Sequence, residues 1–301
     1  MRRRIDFMGL RKVFFGISIA LVLISIGAIA VRGLTFGIEF KGGTVIDISK
    51  SQGVTIEEVR KTFDQRDITD AGIQTSEGGA YIIRITETDP QKATKLASDV
   101  ASELGINTAD YQVMTIGPNW GKNITNRALL ALSLSMLAIL VYISLRFAEW
   151  KMAVAAIIAL AHDIIITLGI YALTGRELTP NTLAALLAIM GYSLYDTIVV
   201  FHRIRENSQY LVKQTFFDMA TDSINQVLTR SINTSLMALI PMVSMYFLGG
   251  ETLKDFAFAL VIGLISGAYS SVAVAAPIYA TWKSSEPKYK ALSKKYAAQS
   301  S

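Results

Sequence analysis

The sequence lacks cysteine and is poor in histidine and in charged residues. With no cysteine among its 301 residues, it excludes disulfide scaffolds, thiol nucleophiles and cysteine–zinc sites. The two histidines, His162 and His202, do not stand at the spacing of a metal-ligand motif, so we expect no metal site. Charged residues make up 18% of the chain and hydrophobic residues 51%, which is typical of membrane proteins rather than soluble domains.

Enzyme signatures are also missing. The sequence contains no Walker loop, no dinucleotide-binding glycine fingerprint and no Gly-x-Ser-x-Gly turn. We therefore expect no cofactor and no enzymatic activity. The formal net charge of +5 is explained by attraction to anionic membrane lipids, without a nucleic-acid partner.

Long apolar runs make up much of what is present. Six are long enough to cross a membrane: about 13–31, 128–145, 152–174, 182–201, 231–248 and 256–281. A hydrocarbon core about 30 Å thick needs roughly 17–25 residues of apolar helix. The first run, with three arginines before it and small residues at its end, imitates a signal peptide, but its length favours an uncleaved anchor. We predict an α-helical polytopic membrane protein with six transmembrane helices.

Lysine and arginine predict the orientation of these helices. They concentrate at both ends of the chain and in the loops 146–151 and 202–230, whereas the two short loops on the opposite side hold only Arg176 and Lys254. Because basic loops stay on the cytoplasmic side, both termini are expected in the cytoplasm.

The residues between the first two apolar runs predict a separate external domain. Strands are expected at 44–49, 72–75, 81–86 and 111–116, and helices at 56–63 and 90–103, with a glycine-rich turn at 76–80. The order β-α-β-β-α-β is typical of a small α+β ferredoxin-like domain. The predicted divisions are 1–31, the N terminus with helix one; 32–127, the external domain; 128–281, helices two to six; and 282–301, a basic cytoplasmic tail.

Two carboxylates lie inside the apolar runs. Asp163 is twelve residues from Lys151 and from Gly175, or about 18 Å from either end of its helix, which is near the midplane. Asp196 lies seven residues, or about 10 Å, from Arg203 at the cytoplasmic edge. An aspartate at the centre of a membrane helix costs roughly 2.5–3.5 kcal/mol on insertion scales, so both are functional candidates.

Arg230 is the third candidate, because it precedes an unusually polar start of the fifth apolar run. That polar face must meet protein or a wet cavity rather than lipid. Arg230 enters at a depth comparable to Asp196, so its guanidinium is expected to meet the carboxylate and to bias its protonation. The pattern predicts a proton relay of Asp196, Arg230 and Asp163, with Tyr195, Ser193 and Thr234 as candidate neighbours.

Structural roles stay open for each of these residues. Asp196 could be held by a salt bridge or backbone donors, Asp163 by His162 and Thr167, and Arg230 by snorkelling to lipid phosphate. Small residues at a spacing of four predict a close helix-packing face: Gly263, Gly267 and Ser271.

Five stretches, which together extend along nearly the whole chain, resemble the SecD/SecF family of bacterial protein-export membrane proteins: GLTFGIEFKGGT, ALAHDIIITLG, GYSLYDTIVVFHRIREN, RSINTS and FLGGETLKDFAFALVIGLISGAYSS. The resemblance implies a SecD-like six-helix partner and a twelve-helix assembly related to the resistance-nodulation-division transporters. It also implies that the proton gradient, or sodium in some relatives, promotes preprotein translocation at the Sec channel of the cytoplasmic membrane.

The resemblance also assigns residues. Asp196 falls on the family's intramembrane aspartate, Arg230 on the arginine paired with it, and Asp163 on the aspartate of an Ala-His-Asp stretch. Two positions depart from the family pattern: Tyr195 replaces an asparagine and His202 replaces an aspartate. These departures leave open the coupling ion and the relay geometry.

Two other functions are alternatives to ion-driven export. A small-molecule efflux transporter half would share the superfamily fold, but an external domain of this size offers little room for a drug-sized pocket of about 300–1,000 Å³. A scaffold that only stabilises its partner is the second alternative, and the intramembrane Asp196 argues against it.

Overall fold

The computed structural model describes residues 4–49, 53–68, 71–75, 80–211 and 214–296. Within these ranges, six helical stretches are long and apolar enough to span a membrane. They are α1 (Arg11–Arg32), α5 (Pro118–Phe147), α6 (Trp150–Thr174), α7 (Pro180–Gln209), α8 (Phe216–Leu248), and α9 (Glu251–Ser270) continuing through a π-helical turn (Ser271–Ala275) into α10 (Ala276–Ser284). The predicted number of transmembrane helices is confirmed for the described part of the chain.

The helices extend beyond the apolar runs that identified them. Helix α8 begins fifteen residues before the apolar run at 231, because Thr215 caps its first turn by accepting a hydrogen bond from the backbone N–H of Asp218. Because the cap satisfies a backbone N–H at the start of the helix, the helix can extend into water without destabilising its membrane-spanning segment. The predicted 202–230 loop is therefore mostly helix.

The chain divides into two compact units. One comprises 1–35, 131–176 and 181–301, and the other comprises 36–130 and 177–180. In the first unit, α6 is the central helix and buries a run of alanines on its inner faces: Ala153, Ala155, Ala156 and Ala159. Small side chains of this kind let membrane helices approach closely.

The predicted packing face on α9 is confirmed. A Cβ atom at Gly263 would overlap the side chain of Ile189, and one at Gly267 would approach the Cβ of Ser193 to 2.8 Å. The Ser271 hydroxyl also donates to the Ser193 carbonyl at 3.3 Å. Helices α9 and α7 therefore meet along small residues, which brings their polar side chains within reach of each other.

The second unit contains a four-stranded sheet. Its elements are α2 (Ile38–Lys41), β2 (Gly43–Ile48), α3 (Ile56–Asp64), β3 (Gly72–Thr75), β4 (Tyr81–Ile85), α4 (Pro90–Glu103), a 3-10 turn (Thr108–Asp110) and β5 (Tyr111–Ile116). The spatial order is β3-β4-β2-β5 and every neighbouring pair is antiparallel. Alternate strand residues and helix residues form one apolar core: Ile46, Ile48, Ile83, Val59, Phe63 and Val100. The glycine-rich turn expected at 76–80 lies, at 76–79, outside the described residues.

A glycine and a helix cap explain where β2 and α3 of this unit begin. Gly43 has φ 137°, and a Cβ there would lie 2.6 Å from the carbonyl oxygen of Ile85, so glycine is required where β2 begins beside β4. Thr55 caps α3 in a capping box with Glu58. Backbone and hydroxyl donors of Thr55 lower the pKa of the exposed Glu58 carboxyl.

Two short strands close the unit near the α6–α7 connection, β1 (Thr35–Phe36) and β6 (Glu177–Leu178). The backbone N–H of Gly37 donates to the Leu178 carbonyl at 2.9 Å, and Arg84 pairs with Glu177 at 2.9 Å. The connection after α6 therefore belongs to the sheet-containing unit, which the sequence did not indicate.

At one end of the first unit, a charged cluster joins the α5–α6 turn to the segment before α11 (Pro287–Tyr296). Lys151 Nζ lies 2.6 Å from Glu286 Oε1, and Lys283 Nζ lies 2.6 Å from Glu149 Oε1 and 3.2 Å from Glu286 Oε1. Partial burial alone would raise the pKa of the Glu286 carboxyl. The hydrogen bonds and charges of Lys151 and Lys283 outweigh burial and hold that pKa below its ordinary value.

We expect Glu286→Gln to reduce thermal stability near neutral pH by less than about 1 kcal/mol, since the pair is partly exposed. A depressed carboxyl pKa contributes stability above the ordinary value of 4.5, and this contribution is lost as the pH falls through the folded-state value. Melting of the detergent-solubilised protein should show a difference between wild type and variant at about pH 7 that is smaller at about pH 3. A difference of equal size at both pH values would contradict this assignment.

Candidate functional site

Asp196 lies on α7 with its carboxylate directed at α8. Its side chain is 6% exposed. The Ser231 hydroxyl donates to Oδ1 at 3.3 Å and the Ser235 hydroxyl donates to Oδ2 at 3.0 Å. Ser231 and Ser235 are four residues apart and so share one face of α8. The polar start of this apolar run therefore faces protein, as its composition predicted.

Arg230 contacts a different residue of α7 than the one expected. Its Nη2 donates to the Tyr195 hydroxyl at 3.0 Å, and within the described ranges no ion pair joins Arg230 to Asp196. Neighbouring positions on a helix point about 100° apart, so Ser231 faces Asp196 while Arg230 faces Tyr195. The expected direct contact is replaced by a contact with Tyr195, the residue that precedes Asp196.

A small cavity adjoins the Asp196 carboxylate. Its volume is about 30 Å³, and a water molecule requires roughly 10–15 Å³ by the same kind of measure. The polar and aromatic lining comes from α7 and α8: Tyr192, Ser193, Tyr195, Asp196, Thr234 and Ser235. The candidate relay neighbours Ser193, Tyr195 and Thr234 thus all border this cavity, which can hold one or two waters.

Asp163 lies in α6 and is fully buried. Three serine hydroxyls donate to its carboxylate: Ser193 at 2.7 Å, Ser266 at 2.7 Å and Ser270 at 2.8 Å. His162 Nδ1 lies 3.1 Å from Oδ1. These contacts bring α6, α7 and α9 together around one carboxylate.

The structure also corrects the expected partners of Asp163. Thr167 does not bind the carboxylate; its hydroxyl donates to the backbone carbonyl of Asp163 at 2.8 Å. The serines at 266 and 270 were missed, although their spacing of four in an apolar helix is a signal for a shared polar face. The packing face predicted on this helix consists of other residues, Gly263, Gly267 and Ser271.

Ser193 connects the two carboxylates. Its hydroxyl binds Asp163 Oδ2 and its side chain also lines the cavity beside Asp196. Thr197, one turn further along α7, shares a hydroxyl–hydroxyl bond of 2.9 Å with Ser271. A polar route therefore runs from Asp163 through Ser193 to the cavity and Asp196.

The two histidines occupy different settings. His162 is 5% exposed and stacks on Tyr269 with ring centroids 6.2 Å apart. His202 is exposed and lines a groove between α7 and α8, on the C-terminal side of Asp196. Within the described residues, no group of three or more histidine and acidic side chains is arranged to hold a metal ion.

Over the residues that the structure describes, two buried carboxylates among six helices of spanning length define a polytopic membrane protein with a polar site inside its helical unit. The family described as "Protein export membrane protein SecD/SecF, C-terminal" matches residues 97–285, and the SecD/SecF GG motif matches residues 27–53. The chain belongs to the SecD/SecF family, and the resemblance inferred from sequence is confirmed.

Individual relatives are named as translocase subunits. The chain is 40% identical to the protein translocase subunit SecF of Streptomyces coelicolor, over 98% of this chain and 81% of that protein. It is 38% identical to SecF of Petrotoga mobilis, over 91% of this chain and 94% of that protein. The solved SecDF of Thermus thermophilus superposes with TM-score 0.85 at 33% identity, over 94% of this chain and 39% of that chain. This chain therefore spans well under half of the SecDF chain.

Proposed function

We propose that this chain is a subunit of an accessory complex that uses the proton gradient, or a sodium gradient, to promote preprotein translocation across the cytoplasmic membrane. The observation that carries the proposal is the setting of Asp196. Its carboxylate is buried among membrane helices, yet it borders a cavity large enough for water, and the Arg230 guanidinium binds the adjacent residue Tyr195.

The size of the cavity favours an ion over a small molecule. About 30 Å³ beside Asp196 is far below the 300–1,000 Å³ that a drug-sized ligand occupies. An efflux role for this site is correspondingly disfavoured.

A SecD-like six-helix subunit is the proposed partner. The Thermus thermophilus relative is named SecDF, and this chain covers 39% of it, which supports a SecD-like half as the partner of this chain. The Sec translocation channel and an unfolded preprotein complete the proposed assembly. Co-purification from native membranes would test the partner directly.

The proposed placement has both termini in the cytoplasm and the sheet-containing unit outside. The element order β-α-β-β-α-β and the spatial order β3-β4-β2-β5 support a ferredoxin-like description of that unit. The basic loops and tail support the orientation, and anionic lipids at the cytoplasmic face would hold them there.

Mechanistically, we propose that Asp196 binds and releases one proton per cycle. The hydroxyls of Ser231 and Ser235 can bind Asp196 in both of its protonation states, because a hydroxyl donates to a carboxylate and accepts from a carboxylic acid. When Asp196 is ionised, Arg230 is drawn from Tyr195 toward it; when Asp196 is neutral, Arg230 rests on Tyr195, as in this structure. One charge crossing the membrane supplies about 2.3 kcal/mol per 100 mV, which is enough to shift α8 relative to α7.

Asp163 would orient the relay rather than exchange with water. Its four partners enclose it completely. By holding the Ser193 hydroxyl, it sets the polar lining on the α6 side of the Asp196 cavity. Asp163 thus remains part of the predicted three-residue relay, but it supports Ser193 and does not itself carry a proton.

Arg230→Ala is expected to impair gradient-driven translocation strongly, and Arg230→Lys to retain part of it. Lysine keeps the positive charge but lacks the forked donor geometry of arginine. Preprotein import into inverted membrane vesicles, with and without a proton gradient, measures the effect. Arg205→Ala is the matched control, since Arg205 is a basic residue of α7 that binds the Arg146 carbonyl instead. Wild-type behaviour of both Arg230 variants would remove Arg230 from the mechanism.

A further inference from the structure

A second, larger space lies between α7 and α8 on the side of Arg230 away from Asp196. This groove has a volume of about 410 Å³. Its polar lining includes residues of both helices: His202, Arg203, Glu206, Gln226 and Arg230. Under the proposed orientation, the groove is the cytoplasmic approach to the Asp196 cavity.

One hydrogen bond separates the two spaces. Tyr195 lines the cavity beside Asp196, Arg230 lines the groove, and the two side chains bind each other at 3.0 Å. His202 follows Asp196 by six residues, which is about 9 Å along α7. The Arg230 guanidinium therefore lies between a residue that lines the cavity, Tyr195, and the groove that His202 also lines.

The other charged groups that face the groove are already paired. On α7, Arg203 binds Glu206 at 2.7 Å and its Nε donates to Gln226 of α8. The charged group from α8, Arg230, is bound to Tyr195. Across the part of the chain that the structure describes, no hydrogen bond or ion pair engages His202, and histidine is the side chain that exchanges protons near neutral pH.

We infer that this groove is the cytoplasmic proton port of the chain and that the His202 imidazole is its proton acceptor. The inference rests on the proposed function. The proton leaves the Asp196 carboxylic acid through cavity water and binds the free imidazole nitrogen when the Tyr195–Arg230 bond opens. Asp196 is left as a carboxylate, and the imidazolium then releases the proton to cytoplasmic water. The Arg230 guanidinium, by repelling an excess proton, keeps the two spaces separate while it rests on Tyr195.

The first test is chemical rescue in inverted vesicles that contain the chain with its native partner, where the cytoplasmic face is outside. His202→Ala should slow gradient-driven proton movement and preprotein import by roughly tenfold, less than the 10² or more typical of a lost proton-transfer group because groove water substitutes in part. Imidazole added outside the vesicles should restore the rate in proportion to its concentration, since the groove admits it. Tyr210→Ala, which removes an exposed aromatic group beyond the end of α7, should show neither the loss nor the rescue.

The second test changes the titration range of the acceptor. Proton release to the outer medium slows when the medium is acidic enough to keep the acceptor protonated. Aspartate titrates at lower pH than histidine, so His202→Asp should stay active but move the acid limb of the outer-pH profile downward. A purely structural histidine would not move that limb.

Failure of the inference is distinguishable from failure of the proposed function. If wild-type import does not depend on an imposed gradient, the proposed function falls. If wild-type import does depend on it, three results would each overturn the port: full activity of His202→Ala, inactivity without imidazole rescue, or an unshifted acid limb in His202→Asp.

Discussion

Asp196→Asn is expected to abolish gradient-driven preprotein translocation while leaving membrane insertion and partner binding intact. The amide has nearly the size of the carboxyl group; its oxygen can accept from one of the two serine hydroxyls, Ser231 or Ser235, and its nitrogen can donate to the other. The amide cannot, however, take up and release a proton as a carboxyl group does. We expect the gradient-dependent part of import to fall by at least about 10²-fold, the lower range for loss of a proton-transfer group.

Import into inverted vesicles with an imposed proton gradient measures this effect, and co-purification of the partner shows that the complex has assembled. Asp222→Asn is the matched control, because Asp222 is an aspartate of α8 that pairs with Arg4 at 2.7 Å, apart from the cavity. Unchanged gradient-dependent import in Asp196→Asn would end the relay hypothesis. It would leave the scaffold alternative as the better account of this chain.

The number and location of the spanning helices followed from sequence because the membrane imposes one demand that is visible in composition. Every backbone polar group in lipid must be satisfied within the helix, and side chains must be apolar over about 30 Å. Runs such as 152–174 meet that demand, and the structure places α6 there. The helix ends were less predictable, since a capped polar turn such as that at Thr215 extends a helix into water.

In the candidate site, the depth of each residue in the membrane could be predicted from the sequence. The direction in which each side chain points around its helix axis could not. Residue counting places Arg230 and Asp196 at similar depths, and in the structure each contacts a neighbour of the other: Arg230 binds Tyr195, and Ser231 binds Asp196. Which neighbour each contacts depends on the rotation of α8 against α7. A rotation of about 100° exchanges Arg230 for Ser231 opposite Asp196, and no single-sequence pattern specifies that rotation.

The structure gives a physical role to Tyr195, one of the two positions that depart from the pattern implied by the resemblance. A tyrosine stands where the resemblance implies an asparagine, and its hydroxyl accepts a hydrogen bond from the Arg230 guanidinium. A shorter amide at this position would not extend as far from α7. In this chain the contact of Arg230 therefore depends on the tyrosine hydroxyl, and in the proposed proton port Tyr195 forms part of the barrier between the cavity and the groove.

Asp163→Ala is expected to cause the largest loss of stability among single substitutions of polar residues in the helical unit. Four side chains converge on the Asp163 carboxylate. Interhelical hydrogen bonds in membranes average about 0.6 kcal/mol each, with a maximum near 1.7. Loss of all four should lower the free energy of unfolding by about 2–3 kcal/mol, and it also releases Ser193 from its orientation toward the Asp196 cavity.

Asp163→Asn separates these two effects because the amide retains one acceptor oxygen and nearly the same volume. We expect it to lose about half as much stability as Asp163→Ala, and to slow gradient-driven import without abolishing it, in contrast to Asp196→Asn. Unfolding in detergent measures the first quantity and vesicle import the second. If Asp163→Asn is as stable as wild type and yet inactive, Asp163 carries protons itself, and its role as a fixed support for Ser193 is wrong.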